Sequence, residues 1–266
     1  MTDIRVLIIT GYGVNCEAES AHAWRLAGAM PALVHLNDLI ERPSQLNDFE
    51  ILMFIGGFSY GDHMGSGHVF ARRVRHHLRS DLADFIAAEK LIMGVCNGFQ
   101  VMTKLGLLPG LDGDCFQPRV ALMQNDCGRF QNYWVDLLCE EQSPCVFTRG
   151  IERIKLPIRH GEGKLFTDDS AVVDAIERDN CAACRYIDSQ SGAPTQEFPA
   201  NPNGSLNAIA GLCDPSGRIF GMMPHPEAYL FPENHPHWDS QKLDGSLPEH
   251  GLGLQFFRNA VEHLQS

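Results

Sequence analysis

Missing from this chain are an excess of positive charge, a long apolar run near its start, and a loop of the kind that cradles nucleotide phosphates. Acidic residues outnumber basic ones by 33 to 21, for a formal net charge of −12. That balance argues against nucleic acid or an anionic membrane as the main partner. The opening stretch MTDIRVLIIT is too short an apolar run for a signal peptide or a membrane span, and it leads straight into a patterned strand. No G-x-x-x-x-G-K-[ST] segment occurs anywhere, so a phosphate loop of that type is excluded. Nine irregularly spaced cysteines do not read as a disulfide framework. A reducing cytoplasm, with most thiols acting as small buried hydrophobes, is the expected setting. Cys181 and Cys184 have C-x-x-C spacing, but neither a second C-x-x-C nor an H-x-x-x-H accompanies them; buried structural thiols are the simpler reading.

What is present is an alternation of strand and helix signals. Arg5 to Thr10 reads as a buried strand, Glu17 to Gly28 as an amphipathic helix, and "ALVHL" and "EILMFIGG" as further strands. Val69 to Lys90 is a long helix, "LIMGV" the next strand, and Asn97 to Leu105 the next helix. This order predicts an α/β fold with a mainly parallel central sheet and helices on both faces. Ligands in such sheets gather at the carboxyl ends of the strands. After Pro109 the pattern becomes strand-rich, and a helix at Leu252 to His263 closes it. With no linker, composition break or internal repeat, residues 1–266 read as a single domain. About Phe231 to His250, rich in Pro, His, Asp and Glu, reads as a surface insertion.

Cys96 stands out among the nine thiols. It sits in G-x-C-x-G between a strand and a helix, a nucleophile-elbow pattern with sulfur in place of oxygen. Gly94 and Gly98 permit a tight turn and a close backbone approach. The N-terminus of the following helix favours thiolate over thiol. Cys16 is a rival nucleophile, but it lacks that turn.

A thiol nucleophile needs a base. "GMMPHPE" leads from an apolar strand into His225, held extended by Pro224 and Pro226. Residues two apart in an extended segment share a side, so Glu227 is placed to orient the imidazole. The bland alternative is a proline-stiffened turn with an exposed His and Glu. "FIGGFSYGD" ends a buried strand in paired glycines, whose N–H groups are candidates for an oxyanion hole.

Taken together, "GGFSYGD", "GVCNGFQ", "NDCGRF", "PIRHGEGKL", "NPNGSLNAIAG" and "GMMPHPE" resemble the class I (triad) glutamine amidotransferases, whose fold is flavodoxin-like. "HGEGK" and "NPNGS" narrow the resemblance to the glutaminase subunits of phosphoribosylformylglycinamidine synthase, and it runs in order from Gly11 to Glu227. The resemblance implies Cys96 as nucleophile, His225 as base and then acid, and Glu227 as orienter. It implies Gly57, Phe58 and Asn97 as oxyanion donors, and Gln100, Asn125, Arg129 and Phe130 as contacts to glutamine. His160 in "HGEG" is a rival base or a subunit docking turn. That chemistry requires no metal or organic cofactor in this chain. An ATP-dependent synthetase carrying ATP and Mg, with a small accessory subunit, would use the ammonia. Two alternatives stay open: a stand-alone thiol hydrolase of γ-glutamyl amides, and a non-catalytic regulatory subunit of the same fold. The acids and histidines of the insertion (His235, His237, Asp239, Asp244, Glu249, His250) lack ligand spacing on a regular element.

Overall fold

The structure, a computed structural model, describes residues 3–113 and 115–266. Its core is a nine-stranded sheet in the order β2-β1-β3-β4-β11-β10-β9-β6-β7. The strands are β1 (Arg5–Thr10), β2 (Met30–His35), β3 (Ile51–Phe54), β4 (Leu91–Val95), β6 (Gln131–Cys139), β7 (Arg153–His160), β9 (Ala182–Tyr186), β10 (Ile209–Cys213) and β11 (Ile219–Met222). β5 (Ala121–Gln124) and β8 (Glu162–Phe166) form a separate antiparallel pair.

The five strands from β2 to β11 run parallel. The other four join antiparallel. The division follows the connections. Helices link the strands of the first half, and a crossover through a helix returns the chain parallel. The second half also uses short turns, as between β10 and β11, where Asp214 accepts from the N–H groups of Ser216 and Ile219. The expected mainly parallel α/β core with a strand-rich second half is what forms.

Strands β3 and β4 are buried along their whole length, as strands covered on both faces must be. Alternate residues of β3 point to opposite layers. Met53 accepts from the Trp24 indole on α1 (Glu17–Leu26), while Phe54 meets Phe70 of α3 (His68–Ala87). Trp24 also packs edge-on against Phe257 of α7 (Leu254–Gln265), at 4.9 Å between ring centroids. Thus α1 and α7 cover one face, and α3 with α4 (Asn97–Leu105) the other. No helix among the described residues is long and apolar enough to cross a membrane.

Three details differ from the sequence expectation. A short helix, α2 (Leu36–Glu41), follows β2, its N-terminus capped by the His35 imidazole. The strand-rich half holds another helix, α5 (Ser170–Arg178), capped by Asp169 and burying Val172, Ala175 and Ile176. That spacing of one, four and five is the signature of an inward helical stripe. Finally, Phe231–His250 is not featureless. It forms a turn at Pro232–Asn234 and a helix, α6 (Trp238–Asp244), with no buried residue. His235 anchors it against Trp134 and Tyr229.

Candidate active site

Cys96 lies where β4 ends and α4 begins. Its backbone has φ 52° and ψ −108°, a conformation that costs a side-chain-bearing residue about 1–3 kcal/mol and recurs at functional sites. The strain falls on the cysteine itself. The flanking glycines serve close packing instead: a side chain at Gly98 would run into the Phe54 carbonyl, and one at Gly94 into Met102 and Gly98. The elbow is pinned by the Cys96 N–H, which donates to the Met222 carbonyl at 2.8 Å. The register therefore ties β4 to β11, the strand that delivers His225.

His225 and Glu227 follow β11 in a proline-stiffened segment, and both are buried. The His225 N–H donates to Pro157 of β7. Its Nδ1 meets Glu227 Oε1 at 2.5 Å, the orienting contact expected two residues away. Burial opposes charge on the ring, but Glu227, then the Cys96 and Cys16 thiols, outweigh it and hold the imidazole pKa well above its ordinary value. The bland reading of an exposed His and Glu does not survive.

Both thiols act on the His225 ring, and its Nε2 has no hydrogen-bond partner among the described residues. The Cys96 thiol instead donates to the Arg159 carbonyl at 3.6 Å. The carboxyl ends of β3, β4, β7 and β11 thus supply the site together.

Cys16 is nearer the site than its sequence context suggests. A methyl group placed on Gly56 would lie 2.9 Å from Cys16 Sγ, 3.0 Å from His225 Cε1 and 3.6 Å from Cys96 Cβ. Burial pushes the Cys16 thiol up to about 11, although His225 works the other way. It therefore remains protonated near neutral pH. His160 is buried, with Nδ1 3.1 Å from Asn125 Oδ1. Burial, with some help from His225, lowers its pKa to about 3, so it stays neutral and fits a structural role better than that of a base.

The oxyanion donors need one correction. The Phe58 N–H already donates to Gly13 at 2.8 Å, and a bonded donor cannot also serve a substrate oxygen. The N–H groups of Gly57 and Asn97 have no such partner among the described residues, the latter because the first N–H groups of a helix are unused. Gly57 has φ 140°, and a side chain there would strike Val14 and Asn15.

The expected glutamine contacts divide. Phe130 lines a cleft of about 190 Å³ above Cys96, with Asn15, Cys16, Glu19, Gly57, Phe58, Asn132, Arg159 and His225. Gln100 does not. Its amide is buried between Asn97 and the Glu162 carbonyl. Asn125 is also turned inward, donating to the Arg129 and His160 carbonyls, which shapes the turn that presents Phe130. Arg129 is exposed and does not line the cleft. Gln100 lies one helical turn beyond Cys96 and so shares its helix face, but that spacing cannot show that the neighbouring strand β8 already occupies it. Glu19 and Arg159, both in the cleft wall, went unnoticed. The only signal was their position, one helical turn after Cys16 and one residue before His160.

Ligand atoms of Cys16, His225 and Glu227 lie within 4.8 Å of one another, a spacing a metal ion accepts. The short Nδ1 to Oε1 contact commits Glu227 to the imidazole, which suits a triad better than a metal shell. No three of the insertion's acids and histidines converge in this way, among the described residues. The C-x-x-C thiols diverge: Cys184 Sγ lies 3.3 Å from Cys139, while Cys181 turns toward Cys213.

A largely parallel sheet presenting a strained cysteine at a helix N-terminus, beside a carboxylate-oriented histidine, defines a thiol-dependent amidotransferase of the triad type. Residues 3–264 match the CobB/CobQ-like glutamine amidotransferase domain, and the chain belongs to that family. It is 44% identical over 265 residues to phosphoribosylformylglycinamidine synthase subunit PurQ of Methanococcus maripaludis, covering 97% of each chain. It is 41% identical to the PurQ subunit of Dehalococcoides mccartyi, covering 98% of each. Among solved structures it is similar to a chain of PurLQS from Thermotoga maritima, with TM-score 0.72, 29% identity, and 99% and 100% of the two chains covered.

Proposed function

We propose that this chain is the glutaminase subunit of phosphoribosylformylglycinamidine synthase, in de novo purine biosynthesis. Similarity over nearly the whole length to PurQ subunits from separate lineages supports the reading. The observation that carries the chemistry is the buried His225–Glu227 pair, whose unpartnered Nε2 lies beside Cys96.

In the proposed cycle His225 takes the Cys96 proton and the sulfur attacks the side-chain amide of glutamine. The developing oxyanion is held by the Gly57 and Asn97 N–H groups. His225 returns the proton to the departing ammonia, leaving a γ-glutamyl thioester. A water activated by His225 then hydrolyses it, releasing glutamate and regenerating the thiol. This chain's residues need no cofactor for those steps. ATP and Mg belong to the synthetase partner, which uses the ammonia to convert formylglycinamide ribonucleotide to its amidine. PurL and PurS, the companions of PurQ in the PurLQS structure, are the corresponding large and small partners. A thiol resting on Arg159 rather than His225 fits an enzyme that is slow alone and stimulated by its complex. A reducing cytoplasm, which keeps thiols such as Cys16 and Cys96 free of disulfides, is the setting that suits this cycle.

The test is reconstitution with the synthetase and small subunits. Glutamine-dependent amidine synthesis is expected to vanish in Cys96→Ala while synthesis from added ammonium continues. Equal loss with both nitrogen sources, or none with either, overturns the proposal.

A further inference from the structure

The cleft above Cys96 contains two opposite charges that no ion pair neutralises among the described residues. Glu19 stands on α1 and Arg159 at the end of β7, and both line the cleft with Cys96 and His225. Neither side chain forms an ion pair or hydrogen bond among the described residues. Elsewhere the chain pairs such groups readily, as Arg185 does with Glu140 and Glu177 at 2.6 Å each. The same cleft is lined by Phe58 and Phe130, half-exposed, with ring centroids 6.1 Å apart. The cleft thus offers an anion, a cation and an apolar wall, with the nucleophile beneath.

We propose that Glu19 and Arg159 are specificity-determining residues that grip the zwitterionic head of a free α-amino acid. Glu19 takes the ammonium group and Arg159 the carboxylate, while the Phe58 and Phe130 rings hold the methylene stem and the amide reaches Cys96. The inference deepens the glutaminase reading and rests on it. It predicts selection of free glutamine over a glutamine side chain within a peptide, which carries neither charge and would leave both groups unanswered. An Arg fork matches a carboxylate in two parallel bonds, and a Glu side chain accepts from an ammonium; both are charge-assisted contacts.

The experiment uses the reconstituted complex and three amides: glutamine, 4-carbamoylbutanoate, which lacks the ammonium, and 4-aminobutanamide, which lacks the carboxylate. Glu19→Gln and Arg159→Gln are each expected to raise KM for glutamine about tenfold while changing kcat by less than about threefold. The decisive readout is the cycle. Glu19→Gln erases the preference for glutamine over 4-carbamoylbutanoate but keeps that over 4-aminobutanamide, and Arg159→Gln does the converse. Ammonium-dependent synthesis, unchanged in both, shows that the variants are folded and assembled. Variants that keep wild-type preferences on all three amides overturn the assignment. A wild-type complex that does not hydrolyse glutamine removes the underlying reading as well, and the two failures are told apart by the wild-type assay alone.

Discussion

Cys16 and His225 meet over Gly56, so closely that a single methyl group there would sit 2.9 Å from the sulfur and 3.0 Å from the ring. Gly56→Ala is therefore expected to displace the imidazole. A shift near 1 Å can cost about a hundredfold in rate, and glutaminase kcat should fall by that order while far-ultraviolet circular dichroism stays native. A variant with normal kcat would show that the ring has room to spare.

The two thiols at the site should react very differently. Cys16, held by burial to about 11, is a poor nucleophile near pH 7.5 because the thiolate is the reactive form. Cys96 stands at a helix N-terminus next to a base. Limiting iodoacetamide should modify Cys96 first and abolish glutaminase activity in step with that modification. Peptide mass spectrometry reads the order, and prior labelling of Cys16 would reverse the assignment of roles.

Glu227→Gln keeps the shape of the orienter and removes its charge. The imidazole then loses its largest support against burial, and its pKa falls. A His raised in the folded state is charged at low pH and loses its proton as pH rises through that value. Lowering it moves the step to lower pH. The Cys96 alkylation profile between about pH 6 and 9 should therefore show its His225-linked step moved downward, and kcat should drop on the order of tenfold to a thousandfold.

His160 makes the opposite contribution to stability. Burial holds its pKa near 3 in the fold, against roughly 6.5 in an unfolded chain. The unfolded state thus binds the extra proton, and stability drains away as pH falls from about 6.5 toward 3, by about 1.4 kcal/mol per unit once below the upper value. His160→Gln should be less stable at pH 7 yet lose less on acidification to pH 4.5. Denaturant midpoints at the two pH values measure the difference.

The insertion offers a cleaner surgical test. Because α6 buries none of its residues, replacing Trp238–Leu247 by a short flexible link should leave the thermal midpoint within about 4 °C, the shift expected for about 1 kcal/mol. If the segment contacts the synthetase, the affinity of the complex falls. Unchanged affinity removes that role.

Local sequence determined the strands, the helix starts and the chemistry of the elbow. Continuous apolar runs such as Leu91–Val95 and the glycines around Cys96 can be read without coordinates, because burial and close approach impose their requirements residue by residue. The His225–Glu227 pairing was legible for the same reason, two residues apart in an extended segment. What only the tertiary structure decided were relations between distant segments. Whether the Phe58 N–H was available depended on Gly13, whether Gln100 faced substrate depended on Glu162, and the placing of Cys16, Glu19 and Arg159 in one cleft depended on β1 and β7 ending beside it. A hydrogen-bond donor can be spent once and a volume filled once, and no local pattern records which distant neighbour has claimed it.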